Sequence, residues 1–357
     1  MRVVVVCDWL LKYAAMQAAG LARAGAEVTL LCRDHAHEFG GDQGERATLL
    51  ELAGQSNVRI LELRGRLWDP RAAASLPALR RQLRRFAPHV THAHEMADPR
   101  ALAVLPPALR VLTVHDPNPH PGQEVLGRRL SRAVLTYPYQ AWRRWAELVV
   151  VHSCALARQL HRRRGQAVCV VPHGLEVRDE PFDVPLARAV GFFGRHEPYK
   201  GLGVLAGAMP RVWSVRPEVR LRVAGAGASV LPISDSRVDH HRGYLPEREV
   251  GPFLAGASLM ALPYTQASQS GVGSIAIGSG VPVVASRIGG LPDLVLDESY
   301  LAEPGDEQGL AEVLLRHLDD DLAVRRRVIS ELARPKSWDA VGKLALAEYE
   351  RALRASP

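Results

Sequence analysis

Met1-Arg2-Val3-Val4-Val5-Val6-Cys7-Asp8 opens the chain, and how this stretch is read decides the fold. A run of β-branched residues without polar alternation is a strand buried on both faces, as in parallel sheets covered by helices on either side. An Ala-rich stretch with helical spacing, Ala14 to Ala24, comes next; Gly25 suits its C-terminal cap, and Glu27 to Cys32 is a second apolar strand. Strand, helix and strand in this order make a βαβ unit. Working outward, apolar runs recur at Val58 to Leu63, Val90 to Ala93, Arg110 to Val114 and Leu148 to Val151. Helical stretches at Leu76 to Phe86 and Gln140 to Ala146 lie among them. The rhythm then restarts. Val168 to Val171 leads into Pro172-His173-Gly174, and Ala189 to Phe193 opens a second series through Leu221 to Ala224, Leu259 to Leu262 and Val281 to Ala285. Helices are expected at Leu202 to Val215, Glu247 to Ala255, Glu307 to Leu318 and Ser337 to Leu353. The polar, proline-bearing Val177 to Pro185 reads as a linker.

The expected fold class is therefore α/β, with two Rossmann-like doubly wound domains facing across a cleft. Their expected bounds are 1–180 and 181–335, with a last helix over 336–357 packing back on the first domain. A chain of 357 residues exceeds what one compact core usually holds, which agrees with two domains. At 47% hydrophobic and 23% charged, the composition is globular and argues against disorder or a disulfide miniprotein. Cys7, Cys32, Cys154 and Cys169 are scattered singly, which suits buried small hydrophobes better than a zinc site or disulfides. The opening apolar run is too short for a secretory signal, and no segment approaches the ~20 apolar residues of a membrane span. A cytoplasmic protein is expected. The net charge of +7, carried mostly by Arg, favours anionic ligands or surfaces without choosing among them.

In doubly wound sheets ligands bind at the carboxyl ends of the strands, so polar and glycine residues there are the candidates. Gly191-Phe192-Phe193-Gly194-Arg195-His196-Glu197-Pro198-Tyr199-Lys200-Gly201 is a strand, a glycine turn with Arg, and a loop ending in Lys-Gly before a helix. Gly194 lets backbone approach a ligand, and Arg195 and Lys200 supply a fork and a point charge suited to a diphosphate. Two solvated surface cations are the alternative. His115 follows a strand and begins His115-Asp116-Pro117-Asn118-Pro119-His120, where a structural histidine and a functional one both fit.

Gly194-Arg195 with Lys200-Gly201 resembles the donor-diphosphate motif of family-four glycosyltransferases, retaining enzymes of GT-B fold. Other segments agree in order: Asp8 to Ala22; His92-Ala93-His94-Glu95; Val171-Pro172-His173-Gly174-Leu175; Val223-Ala224-Gly225-Ala226-Gly227; and Ser279-Gly280-Val281-Pro282-Val283-Val284-Ala285-Ser286 with Gly289-Gly290-Leu291-Pro292-Asp293. The likeness covers essentially the whole chain. It implies sugar transfer from a nucleoside-diphosphate sugar with retention at the anomeric carbon, no metal, and no cofactor beyond that co-substrate. It also implies that Arg195 and Lys200 neutralise the leaving diphosphate and that His115 faces the donor sugar, with these three as the catalytic group. Donor binding falls to Gly194, Gln266, Ser268, Gln269, Ser270, Gly271 and Val272, with Gly225, Gly227 and Tyr244 near the nucleobase. Lys12, Tyr13, Glu95, Asp116 and His120 are the acceptor-side candidates; a surface Lys12 and a core Tyr13 are the alternatives.

One departure matters. Relatives commonly carry two Glu residues where this chain has Ala267 and Ile275, neither able to accept a side-chain hydrogen bond. The chain instead reads Pro263-Tyr264-Thr265-Gln266-Ala267-Ser268-Gln269-Ser270-Gly271-Val272, similar to a subgroup pattern with Gln266 in place of an acidic residue. A catalytically degenerate sugar-nucleotide-binding or partner subunit is the competing expectation. The expected acceptor is a glycan, a lipid-linked glycan or a small molecule. Arg80-Arg81, Arg84-Arg85, Arg128-Arg129, Arg143-Arg144 and Arg162-Arg163-Arg164 suit either contact with an anionic bilayer or a solvated face. No motif supports nucleic-acid binding. Asp319-Asp320-Asp321 reads as helix capping rather than a metal site, and His173 as shaping its turn.

Overall fold

The computed structural model describes residues 1–8, 10–35, 39, 41–65, 70–94, 98, 100–115, 141–160, 163, 165–227, 229 and 231–355. The chain forms two compact units, Met1–Gly174 with Trp338–Pro357, and Leu175–Ser337. The boundaries thus fall at Gly174 and Ser337, a few residues from 180 and 335. The stretch 177–185 is not a free linker. It is built onto the second unit, where Arg178 N–H donates to the Gly278 carbonyl (2.9 Å) and Phe182 N–H to that of Ser279 (3.3 Å).

The first unit holds a parallel sheet of seven strands: β1 (Arg2–Val6), β2 (Glu27–Arg33), β3 (Arg59–Leu63), β4 (Val90–His94), β5 (Leu109–Thr113), β6 (Leu148–Val151) and β7 (Ala167–Val170), in spatial order β3-β2-β1-β4-β5-β6-β7. Val3 pairs with Val28 on one side and Val90 on the other. Val3 and Val5 enter one core layer, Val4 and Val6 the opposite one. Successive strand residues point to opposite faces, and both faces are covered, so the sequence shows an unbroken valine run. The helix Leu11–Arg23 packs against the C-terminal helix Trp338–Ala355 within this unit. The helix Gln43–Gln55, absent from the sequence reading, starts at Asp42, whose carboxylate accepts from Gly44 N–H (2.7 Å) and Glu45 N–H (3.2 Å).

The second unit has a six-stranded parallel sheet: β8 (Ala189–Phe193), β9 (Arg220–Gly225), β10 (Val238–Arg242), β11 (Leu259–Leu262), β12 (Val283–Ser286) and β13 (Leu301–Ala302), in order β10-β9-β8-β11-β12-β13. The strand β10, Val238-Asp239-His240-His241-Arg242, escapes a reading based on apolar runs because it is a polar edge strand. Its backbone pairs with β9, and Asp239 takes a two-point ion pair from Arg220 (2.7 and 3.1 Å). Both sheets reverse their winding at an inner pair of strands, β1/β4 and β8/β11, and such switch points are where doubly wound sheets bind ligands.

Among the cysteines, Cys7 and Cys32 are buried and Cys169 is partly so. Cys154 is exposed, against expectation, because it is the first residue of the helix Cys154–Gln159 capped by Ser153. Asp321 caps the helix Leu322–Arg327 through Val324 N–H (3.0 Å), Asp320 accepts from the Tyr300 hydroxyl (2.6 Å), and Asp319 pairs with Arg188 and Arg216. No helix among the described residues is long and apolar enough to cross a membrane.

Candidate functional site

In the second unit the glycine-bearing loops after β8 and β9 meet in a space only glycine can share. Gly225, at φ +147°, lies so close to the Gly194 carbonyl that a Cβ there would overlap the oxygen. Gly227 rests on the backbone of His196, whose N–H donates to the Ala226 carbonyl (2.8 Å). On its other side Gly194 approaches Val272, in the first turn of the helix Gly271–Gly278. The segments quoted separately as Gly194-Arg195, Gly225-Ala226-Gly227 and Ser270-Gly271-Val272 are thereby brought together.

Lys200 closes a short turn, Pro198–Lys200, and Gly201 (φ +70°) follows with its Cα against the Pro263 carbonyl beyond β11. Any side chain at Gly201 would push the Lys200 turn off the end of β11. The Lys200 ammonium lies 3.9 Å from the ring centroid of Tyr264 and 5.3 Å from that of Tyr199. Burial, and then the positive charge of Arg195, lower its pKa to about 8. Arg195 itself is exposed. Ser270 is buried and caps the adjoining helix, accepting from Gly273 N–H (3.2 Å). Two cations and a capped helix start at one strand-end cluster supply the chemistry that suits an anion: a fork, a point charge and backbone donors.

Gln266 is exposed, while Ser268 and Gln269 pack on the Gly289-Gly290 turn, where Gly290 N–H donates to the Ser268 carbonyl (3.0 Å). Gly271 is exposed and Val272 half-buried. Tyr244, beyond β10, is exposed and its carbonyl accepts from His241 Nε2 at 3.3 Å. Ile275, at one of the two positions where relatives carry Glu, is an exposed hydrophobic side chain.

The first unit carries a different cluster. Adjacent strands β4, β5 and β6 each end at or beside a histidine, His94, His115 and His152, and His173 lies just beyond β7. Their rings connect in a row. His94 Nδ1 is 3.0 Å from His115 Nε2, His115 Nδ1 is 3.0 Å from His152 Nε2, and His152 Nδ1 is 3.0 Å from the Val171 carbonyl. At the other end Gln17 Oε1 lies 2.8 Å from His94 Nε2, and exchanging the amide oxygen and nitrogen puts a donor there. A carbonyl only accepts, so His152 bears its proton on Nδ1; each neutral ring then donates from Nδ1 and accepts on Nε2. Three neutral imidazoles supply three protons for four links, so Gln17 completes the row when its amide nitrogen faces His94. Burial holds all of these rings below the ordinary histidine pKa, His152 to about 4 and His173 to about 3.

Tyr13 sits inside this cluster, its ring in contact with His94, His115, His152, His173 and Trp338 at centroid distances of 4.7–5.5 Å. It is 7% exposed, so among the acceptor-side candidates it takes the core role. Lys12 lies over the Phe39 ring at 5.3 Å. His173 donates from Nδ1 to the Gly174 carbonyl (2.8 Å), which fits a turn-shaping role. Glu95, Asp116 and His120 lie outside the described residues. The sequence reading missed His152, Gln17 and Tyr264. A histidine directly after a third apolar run was the available signal for His152; nothing local marked the other two.

Two all-parallel units wound in this way define the GT-B class, and the comparisons with known proteins agree. Residues 12–179 match the family Glycosyltransferase Family 4, and residues 187–320 match Glycosyl transferases group 1. The chain belongs to the family-four, group 1 glycosyltransferases. It is similar to the D-inositol 3-phosphate glycosyltransferase of Segniliparus rotundus, 31% identical over 53% of this chain and 48% of that protein. It also resembles the glycogen synthase of Mycobacterium tuberculosis, 26% identical over 76% of this chain and 70% of that protein. The chain spans about half the length of the inositol-phosphate enzymes it matches. Among solved structures, Anabaena HepE in complex with UDP and glucose superposes with a TM-score of 0.63. It covers 99% of this chain and 100% of that one at 18% identity, a likeness of fold.

Proposed function

We propose that this protein is a retaining, metal-independent glycosyltransferase that moves a sugar from a nucleoside-diphosphate sugar to a hydroxyl of a glycan, lipid-linked or small-molecule acceptor. The observation that carries the reading is the convergence of Arg195, Lys200 and the Ser270-capped helix start at the β8/β11 switch point. There the cations neutralise charge as the bond from the anomeric carbon to the diphosphate oxygen breaks. The acceptor oxygen bonds to the same face of that carbon, and its proton passes to the departing phosphate. Gln266, Ser268, Gln269, Gly271 and Val272 offer neutral donors and backbone to the donor, Gly225, Gly227 and Tyr244 flank the base, and His115 contacts the sugar with its ring oriented by His94 and His152. HepE, described with UDP and glucose, supports the donor class.

Lys12, with Glu95, Asp116 and His120, is assigned to the acceptor. The reaction is placed in the cytoplasm. Exposed Arg80, Arg81, Arg84 and Arg85, lining a cavity of about 700 Å³ with Leu76 and Pro77, suit an anionic membrane surface.

Purified protein given UDP-, GDP- and TDP-sugars should hydrolyse or transfer at least one of them, and Arg195→Ala should lower that rate roughly 10- to 100-fold, the worth of a charge-assisted hydrogen bond. Unchanged rates in the variant would remove the site. A second reading, a binding subunit without turnover, is favoured by Ala267 and the exposed Ile275, which stand where relatives carry one Glu near the donor sugar and one on the ribose. Donor binding with no turnover across acceptors would select it.

A further inference from the structure

We propose that Tyr264 is a positioning residue for the anion site, carrying Lys200 on its ring and holding the start of the helix Gly271–Gly278 through its hydroxyl. The inference rests on the reading of Lys200 as a diphosphate ligand. Tyr264 is 1% exposed and follows β11 by two residues. Its ring face lies 3.9 Å from the Lys200 ammonium, and its hydroxyl is 3.0 Å from Ser270 Oγ, the oxygen that accepts from Gly273 N–H. One side chain therefore touches both the cation and the helix cap. Thr265 N–H also donates to the Tyr199 carbonyl (2.8 Å), tying the segment after β11 to the Lys200 turn.

The choice of an aromatic partner has a chemical consequence. A carboxylate would hold the ammonium by occupying its N–H donors and cancelling its charge. A π-face attracts the cation and leaves donors and charge for an incoming oxyanion. The hydroxyl then fixes the ring relative to the helix start, so point charge and backbone donors reach the same diphosphate at a set separation. A phenylalanine would keep the first contact and lose the second; an aliphatic residue would lose both.

The test is calorimetric binding of UDP, GDP and TDP to the full chain and to Lys200→Ala, Tyr264→Leu, Tyr264→Phe, Ser270→Ala and the paired variants, with thermal melting to confirm folding. Tyr264→Leu should weaken binding about five- to tenfold, and Lys200→Ala should cost less in that background than in the wild type. Tyr264→Phe should restore the Lys200 effect while losing about two- to threefold itself, and Ser270→Ala should add little to it. If Tyr264→Leu binds as the wild type does, or its effect simply multiplies that of Lys200→Ala, the positioning role is overturned and the Lys200 reading stands. Where Tyr264→Leu does not fold, independent effects of Tyr264→Phe and Ser270→Ala overturn it equally. Wild-type binding that Lys200→Ala leaves unchanged, or no binding of any of the three nucleotides, overturns the anion-site reading and this inference with it.

Discussion

At the ends of β4 to β6 the first unit links His94, His115 and His152 in a row, with His173 beside it just beyond β7, whereas at the β8/β11 switch point the second unit keeps Arg195 exposed and rests Lys200 on an aromatic face. The winding is the same in the two sheets, and both clusters form at carboxyl ends of strands, with β4 and β11 as the equivalent strands the two have in common. Their electrical characters are opposite. Imidazole can shed its proton at neutral pH, so burial makes the first cluster neutral, its row of rings closed by Gln17 at one end and the Val171 carbonyl at the other. A guanidinium cannot, and a lysine resists, so the second cluster stays cationic and needs an anion to complete it. The fold supplies the place; the titration chemistry of the side chain decides whether that place is neutral and internally paired or cationic and open to an anion.

The largest expected effect comes from acid. His92 and His173 are held near 3 and His152 near 4, chiefly by burial, with His94 and His115 also well below the ordinary 6.5. The unfolded chain therefore binds more protons than the folded one between about pH 6.5 and pH 4. Stability contributed by the neutral rings is fully present above 6.5 and falls with pH through that window, by up to about 1.4 kcal/mol per pH unit for each ring kept neutral. Urea unfolding followed at pH 7.5, 6 and 5 measures it. A midpoint that does not move over this range would mean that the rings take up protons in the folded chain as readily as in the unfolded one, and the contrast between the clusters would vanish.

A smaller effect separates the clusters by function. His152→Ala strips the Val171 carbonyl and His115 Nδ1 of their partner. It should cost about 1–3 kcal/mol of stability, the price of buried groups left unpaired, while UDP or GDP affinity stays within about twofold. A loss of nucleotide affinity comparable with that of Lys200→Ala would merge the two regions into one energetic unit.

Much of this architecture can be read along the chain because its cause is local. The valines of β1 announce a strand covered on both sides, and Gly194, Lys200 and Gly201 carry their constraint in their own residue types. The polar edge strand β10 is hidden, since its stability lies in backbone pairing with β9 and in the Arg220–Asp239 ion pair rather than in apolar side chains. The helix Gln43–Gln55 is hidden for a related reason, having only Arg46 and Ala53 buried. Gln17 and Tyr264 are invisible for another. Each matters through a partner far along the chain, His94 for one and Lys200 for the other, and only the strand order brings these pairs together. His152 lies between the two cases, marked by its place after an apolar run and given meaning by its neighbours.

The smallest effect sharpens the cationic side of the comparison. Lys200 titrates near pH 8 in the free protein because burial and Arg195 both disfavour its charge. A bound diphosphate favours that charge and raises the pKa, so binding draws in a proton wherever the free lysine is neutral. Affinity for UDP or GDP should be level below about pH 8 and decline above it, by at most about tenfold per pH unit. Calorimetry between pH 7 and pH 9, repeated in buffers of different ionisation enthalpy, reads both the decline and the proton taken up. Lys200→Arg keeps the charge throughout this range and should flatten the profile even where its longer fork binds less tightly. A wild-type profile as flat as that of the arginine variant would place the Lys200 ammonium away from the phosphates, leaving Arg195 and the helix start as the whole of the anion site.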